Sequence, residues 1–251
     1  MEKILFFCVS LISISLGCSD SAGHQPTEDS PPSDSTINIL YVGNSLTYTN
    51  DIPVLVQELG KKDLINVSHS TLLFPNSSIE DHLLQGKVQS EISSGKYDVV
   101  VAQQGPSALP ESQVILLRDT KALAELCSAT AHTTLALYMV WPAAERSFDL
   151  DNVIYSYQHA ADVAGVLLCP AGLAWKIGWQ FDATLPLYSK DNFHPSITGS
   201  VLAALTIYGT LAKKEDFNSI HLDEMSWRYT MTEERFMILK QSALIALNNV
   251  R

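Results

Sequence analysis

The sequence predicts an α/β protein in which a parallel sheet of five strands lies between helices, and three observations carry that expectation. Strand-like runs at 37–42, 64–69, 97–102, 134–140 and 165–169 alternate with helical segments. Within those runs ILYV, DVVVA and GVLLC are nearly unbroken apolar stretches, as expected of strands covered on both faces. The strand–helix–strand rhythm itself implies right-handed crossovers and a helical layer on each side of the sheet.

Each helix has a local reason. The segment 53–59 is short. The segment 79–84 follows Ser77 and Ser78, either of which can cap it. The segment 114–127 sets Leu116, Leu123, Leu126 and Cys127 on one face, and 151–163 precedes the fifth strand. After that strand the pattern is helical only. From Pro195 to position 211, Ile197, Val201, Leu205 and Tyr208 recur at helical spacing behind Ser196, a candidate N-cap. A last helix from about Thr232 opens on Glu233 and Glu234, where the dipole favours acids, and buries Phe236, Leu239, Ala243 and Leu247. The polar stretch 213–230, with Trp227, wraps the body.

Composition bounds the function. The chain has 251 residues, 46% hydrophobic and 17% charged, enough for one domain of enzyme size. Its formal net charge of −11 excludes the basic footprint of a nucleic-acid binder.

The chain divides into a leader at 1–18, a linker at 19–36 and a domain at 37–251 that ends in the extra C-terminal helix. Lys3 precedes an apolar run to Leu16 that is too short to span a bilayer, so it reads as a signal peptide and predicts export. The run ends in Ser15-Leu16-Gly17-Cys18, which resembles a bacterial lipobox with Ser15 where leucine is preferred. Lipidation at Cys18 would make the protein a membrane-anchored lipoprotein, periplasmic or at the cell surface; ordinary cleavage would release it. The Ser-, Pro- and acid-rich segment that follows cannot bury a core and reads as a flexible spacer. Cys127 and Cys169 fall in a helix and a buried strand, which favours two buried thiols over a disulfide.

In a parallel sheet, ligands bind beyond the carboxyl ends of the strands. The segments there are Gly43-Asn44-Ser45-Leu46-Thr47, Phe74-Pro75-Asn76-Ser77-Ser78, Gln103-Gln104-Gly105-Pro106-Ser107 and Trp141-Pro142, with Asp191-Asn192-Phe193-His194 later in the chain. A serine hydroxyl needs a base to take its proton, and the base needs a third group to fix its tautomer. Asp191 and His194, three residues apart in a tight turn stiffened by Pro195, can serve Ser45 in those two roles. Asp-x-x-His is also a metal-pair arrangement, but no third ligand at recognisable spacing accompanies it, and no metal or other cofactor is expected.

GNSLT and DNFHPS resemble blocks I and V of the SGNH, or GDSL, hydrolases, and the resemblance runs from about Ile37 to Leu211. SSIEDHL and VVVAQQGPSALP are similar to a GDSL-like branch of that family. The resemblance implies a flavodoxin-like, three-layer α/β/α fold and a serine esterase with Ser45 as nucleophile, His194 as base and Asp191 as its orienting acid. Two positions depart from the family pattern. The block II glycine is replaced by Asn76, or by Ser77 in an alternative alignment, and the block III asparagine by Gln103 or Gln104, with Gln103 the nearer to the strand end. The oxyanion would then be held by the N–H of Ser45, the loop at Asn76 and Gln103. Tyr48, Gln104, Ser107 and Trp141 are candidates to line the substrate site. The expected reaction is hydrolysis of a carboxylic ester through an acyl-serine, on a small-molecule or carbohydrate ester, with deacetylation of a carbohydrate as one form of it. The competing reading is a catalytically weak or inactive glycan-binding protein on the same fold.

Overall fold

The computed structural model describes residues 36–250. The leader, Cys18 and nearly all of the 19–36 linker lie outside the described residues. Among the described residues no helix is long and apolar enough to cross a membrane.

Five parallel strands, β1 (Ile37–Gly43), β2 (Val67–Leu73), β3 (Val99–Ala102), β4 (Thr134–Tyr138) and β5 (Leu167–Cys169), form one sheet in the order β2-β1-β3-β4-β5. The helices are α1 (Ser45–Tyr48), α2 (Ile52–Lys62), α3 (Ile79–Gln85), α4 (Lys87–Ser93), α5 (Pro110–Ser128), α6 (Leu150–Ala164), α7 (Ala171–Phe181), α8 (Ile197–Leu211) and α9 (Glu233–Asn249). Helices α2, α7, α8 and α9 pack with one another, and α3 to α6 pack with one another, giving the two layers that flank the sheet.

Two of the three apolar runs, ILYV and DVVVA, became central strands for the expected reason: Leu40, Val42, Val100 and Val101 are buried with the helices closed over them. The third, GVLLC, gives instead the edge strand β5, only three residues long, whose Leu167 is 40% exposed. Strand β2 differs. It starts three residues later than the sequence suggested, because Leu64 turns through φ 58° and stands 95% exposed. As an edge strand it keeps a largely solvated face, so VSHSTLL carries little apolar signal.

Three helices escaped the sequence reading. Helix α1 is a single turn. Helix α4 follows α3 after Gly86, whose φ of 74° ends the first helix and admits the second. Helix α7 starts at Ala171, without a side-chain cap and without an acid in its first turn. The 213–230 segment is less polar in effect than its composition: Phe217, Ile220, Leu222, Met225 and Trp227 are all buried, and only short 3-10 turns interrupt it.

Cys127 and Cys169 are free and buried, and burial pushes both thiols up to about 12, which makes them unreactive.

Candidate active site

The chain leaves β1 for β2 on one side and later returns to β3 on the other, so the carboxyl ends of β1 and β3 meet at the switch point where parallel sheets hold ligands. GNSLT leaves β1 there, and Gln103-Gln104 leaves β3. Asn44 caps α1, its Oδ1 accepting from Leu46 N at 3.0 Å, so Ser45 is the first helical residue. Its N–H is therefore one of those with no intrahelical acceptor, and it sits at the positive end of the turn.

Both sides of this turn are clamped. Gly43 O accepts from Phe74 N at 3.0 Å, and His82 Nε2 lies 2.9 Å from the same carbonyl. A carbonyl only accepts, so that nitrogen carries the hydrogen. Burial depresses the His82 pKa and keeps the ring neutral, while its bond to Gly43 O opposes the shift. Asn44 Nδ2 donates to Ser77 O at 2.9 Å, which ties the Asn76 loop to the serine. Asn76 itself adopts φ 58°, the left-handed geometry that asparagine tolerates where glycine is absent.

On the β3 side, Gln103 is fully buried and completely engaged. Its Oε1 accepts from Asn44 N at 3.0 Å and Thr47 Oγ1 at 2.9 Å, and its Nε2 donates to Asn44 Oδ1 at 2.9 Å and Gln104 O at 2.8 Å. The assignment of Gln103 as oxyanion donor is therefore corrected: both amide hydrogens are spent, and the side chain lies behind the site wall. Its work is to hold the Ser45 turn. Gly43 is required by the same contact, since a Cβ there would stand 2.3 Å from Gln103 Oε1. Gln103→Leu is expected to strand the Asn44 N–H and the Thr47 hydroxyl in the core and to cost about 3–5 kcal/mol. Urea unfolding measures it. Gln104→Ala, at the cleft surface, is expected to cost far less stability.

A cleft of about 360 Å³ opens over this turn. Asn44, Ser45, Asn76, Ser77, Ser78, Gln104, Ser107 and Phe193 are among its walls, with Ser112 and Ile115 from α5. Gln104 and Ser107, two of the candidate lining residues, stand in this wall, where Gln104 Nε2 donates to Ser107 Oγ at 3.1 Å. Tyr48 and Trp141 do not line the cleft. Tyr48 points to solvent from the far end of α1. Trp141 is fully buried, stacked on Trp175 at 3.6 Å, and donates its Nε1–H to Phe193 O at 3.2 Å, so it is the floor beneath the histidine turn.

That turn is built around one carboxylate. Asp191 Oδ1 accepts from Ser189 Oγ at 2.7 Å and from the N–H groups of Phe193 and His194, both at 3.0 Å. Asn192 supplies the left-handed residue the turn needs, at φ 59°. Oδ2 lies 2.6 Å from His194 Nδ1. The Ser189 hydroxyl, the His194 ring and the Phe193 N–H hold the Asp191 carboxyl well below its usual range, so it is ionised and Nδ1 carries the hydrogen. Nε2 is thereby left with its lone pair.

Tertiary bonds tie this turn to the segment just past α1. Asn50, just past α1, donates through Nδ2 to Pro195 O at 3.0 Å and to Ser200 Oγ at 2.9 Å, and Phe193 shares the cleft with Ser45. Gly199 lets the first turn of α8 lie against Leu187, since a Cβ there would meet Leu187 O at 2.3 Å. Among the described residues neither Ser45 Oγ nor His194 Nε2 has a hydrogen-bond partner. No cluster of three metal-ligating side chains occurs among them either. Asn44 and Phe193 were the residues the sequence reading passed over. Asn44 could have been found as a cap acceptor two residues before Leu46, whereas Phe193 looked like a spacer within DNFH.

No family model matches the sequence, and no curated protein matches it. Solved structures do. A Slackia heliotrinireducens protein assigned as an SGNH hydrolase superposes with a TM-score of 0.60 at 24% identity, over 70% of this chain and 100% of that one. A DUF4886 family protein from Bacteroides uniformis gives 0.68 at 15%, over 86% and 100%. An acetylxylan esterase from Geobacillus stearothermophilus gives 0.54 at 13%, over 70% and 94%. At these identities the likeness speaks to the fold, and the strand order agrees with it: the chain has the fold of the SGNH hydrolases.

Proposed function

We propose that the protein is a serine esterase that cleaves carboxylic esters through an acyl-Ser45 intermediate. The observation that carries this reading is the ionised Asp191 holding His194 Nδ1 at 2.6 Å, in a turn fastened to the segment that follows Ser45. His194 Nε2 takes the Ser45 proton as Oγ bonds to the ester carbonyl carbon. It returns that proton to the departing alkoxide as the carbon–oxygen bond breaks. Water then repeats the two steps, releasing the acid and restoring the serine. The oxyanion is met by the N–H of Ser45, the N–H of Asn76 and the Gln104 Nε2 hydrogen not given to Ser107. No cofactor enters this scheme.

A carbohydrate acetate is the substrate class we favour, supported by the acetylxylan esterase among the structural neighbours and by the leader read in the sequence. Export with a lipid anchor at Cys18 completes the proposal, and loss of membrane association in Cys18→Ser, measured by fractionation, checks the anchor. For the chemistry, the test is covalent labelling with a fluorophosphonate followed by peptide mapping. The adduct is expected on Ser45; an unlabelled protein, or an adduct elsewhere, would count against it.

A further inference from the structure

A second cavity, of about 290 Å³, adjoins the cleft through Pro106, Ser112 and Phe193, and is completed by Ala108, Leu109, Pro142, Ala143, Arg146 and Asp149. It lies on the histidine side. Its far wall, the segment after β4, is joined to the Asp191–His194 turn by Ala144 N donating to Asn192 O at 2.8 Å and Asn192 Nδ2 donating to Glu145 Oε1 at 3.3 Å. Because His194 delivers its proton to the departing oxygen, the leaving group must lie on that side, and the Asn76–Ser78 end of the cleft is left for the acyl group.

The chemistry of the cavity is specific. Asp149 is only 6% exposed, and its Oδ2 takes both Nε (2.7 Å) and one terminal nitrogen (2.5 Å) of Arg146. That leaves Asp149 Oδ1 and Arg146 Nη1 without partners among the described residues. A hydroxyl can donate to the first and accept from the second, whereas an apolar alcohol would cover the Asp149 carboxylate without offering it a hydrogen bond. The Phe193 ring and the rings of Pro106 and Pro142 offer flat apolar walls, and the volume suits one ring rather than a chain. We propose that this cavity is the leaving-group subsite and takes a pyranose whose adjacent hydroxyls bond Asp149 and Arg146.

The assignment rests on the esterase reading, and two acetates separate the two claims: an O-acetylated methyl xylopyranoside, and ethyl acetate, whose leaving group is too short to fill the cavity. In Asp149→Ala, kcat/KM for the pyranoside is expected to fall at least tenfold further than kcat/KM for ethyl acetate, chiefly through KM. Leu109→Trp, which fills the cavity and leaves the residues of the ion pair unchanged, is expected to discriminate in the same direction and serves if the first variant fails to fold. Equal losses on both acetates, or no loss on the pyranoside, overturn the subsite and leave the esterase standing. If neither acetate is hydrolysed in a Ser45-dependent way, the esterase reading falls, and saturation-transfer NMR with methyl xylopyranoside decides the subsite. A signal lost in the variant supports it; a signal absent from the unmodified protein, or unchanged in the variant, overturns it.

Discussion

Ser45→Ala is expected to bring nitrophenyl acetate hydrolysis down to the buffer rate, a loss of about 10³- to 10⁶-fold in kcat. The cleft contains other hydroxyls, but three of them are committed locally. Ser78 Oγ donates to Asp81, Ser107 Oγ to Gly105 O and Ser112 Oγ to Leu109 O. Ser45 alone combines a hydroxyl with no partner, an N–H free at a helix start and a place in the wall beside Asn76. Because the substitution breaks no hydrogen bond of that side chain, the fold is expected to stay within about 0.5–1 kcal/mol of the original. Thermal melting of both proteins, beside the rates, distinguishes loss of chemistry from loss of structure. Equal rates in the two proteins would sink the esterase and leave the glycan-binding reading in its place.

Asp191→Asn carries the second large effect, about 10²- to 10⁴-fold in kcat with KM little changed. The amide oxygen can keep the three donors that now meet Oδ1, which presents the amide nitrogen to His194 Nδ1. Two donors cannot pair, so the ring must take the other tautomer, with its hydrogen on Nε2, where it cannot accept the serine proton. The lower half of that range is the better expectation, because Asp191 is half-exposed and water can partly replace it. The pH dependence has a definite sign. The folded pKa of Asp191 is depressed, so the contribution of its carboxylate is present above the ordinary value of 3.8 and is lost only as pH falls through the lower folded value. Activity lost on mild acidification would therefore originate elsewhere than Asp191. A pH–rate profile of the unmodified protein checks this.

Much of the molecule could be read along the chain. Nearly unbroken apolar runs located β1 and β3, which are covered on both faces, and also β5, which lies at the sheet edge. The serine after β1 and the Asp191–His194 turn were legible because each is local: a cap and a helix start in one case, a three-residue spacing closed by a carboxylate in the other. What was not legible depends on facing directions and on segments far apart in sequence. Gln103 and Gln104 are chemically identical neighbours at the end of β3, and successive side chains there point to opposite sides, so one is core and the other lines the cleft. Trp141 follows a strand end just as Ser45 does, yet stacking on Trp175 from α7 takes it into the interior. The edge position of β2 erased its apolar signal. The sequence by itself therefore determined the fold class and singled out Ser45 and the Asp191–His194 turn as the candidate site, which rest on local periodicity and spacing. Only the tertiary structure decided which glutamine lines the cleft, and that residues 106–112, 142–149 and 193 close one cavity beside the histidine turn, because those relations exist only once the sheet and its two helical layers have assembled.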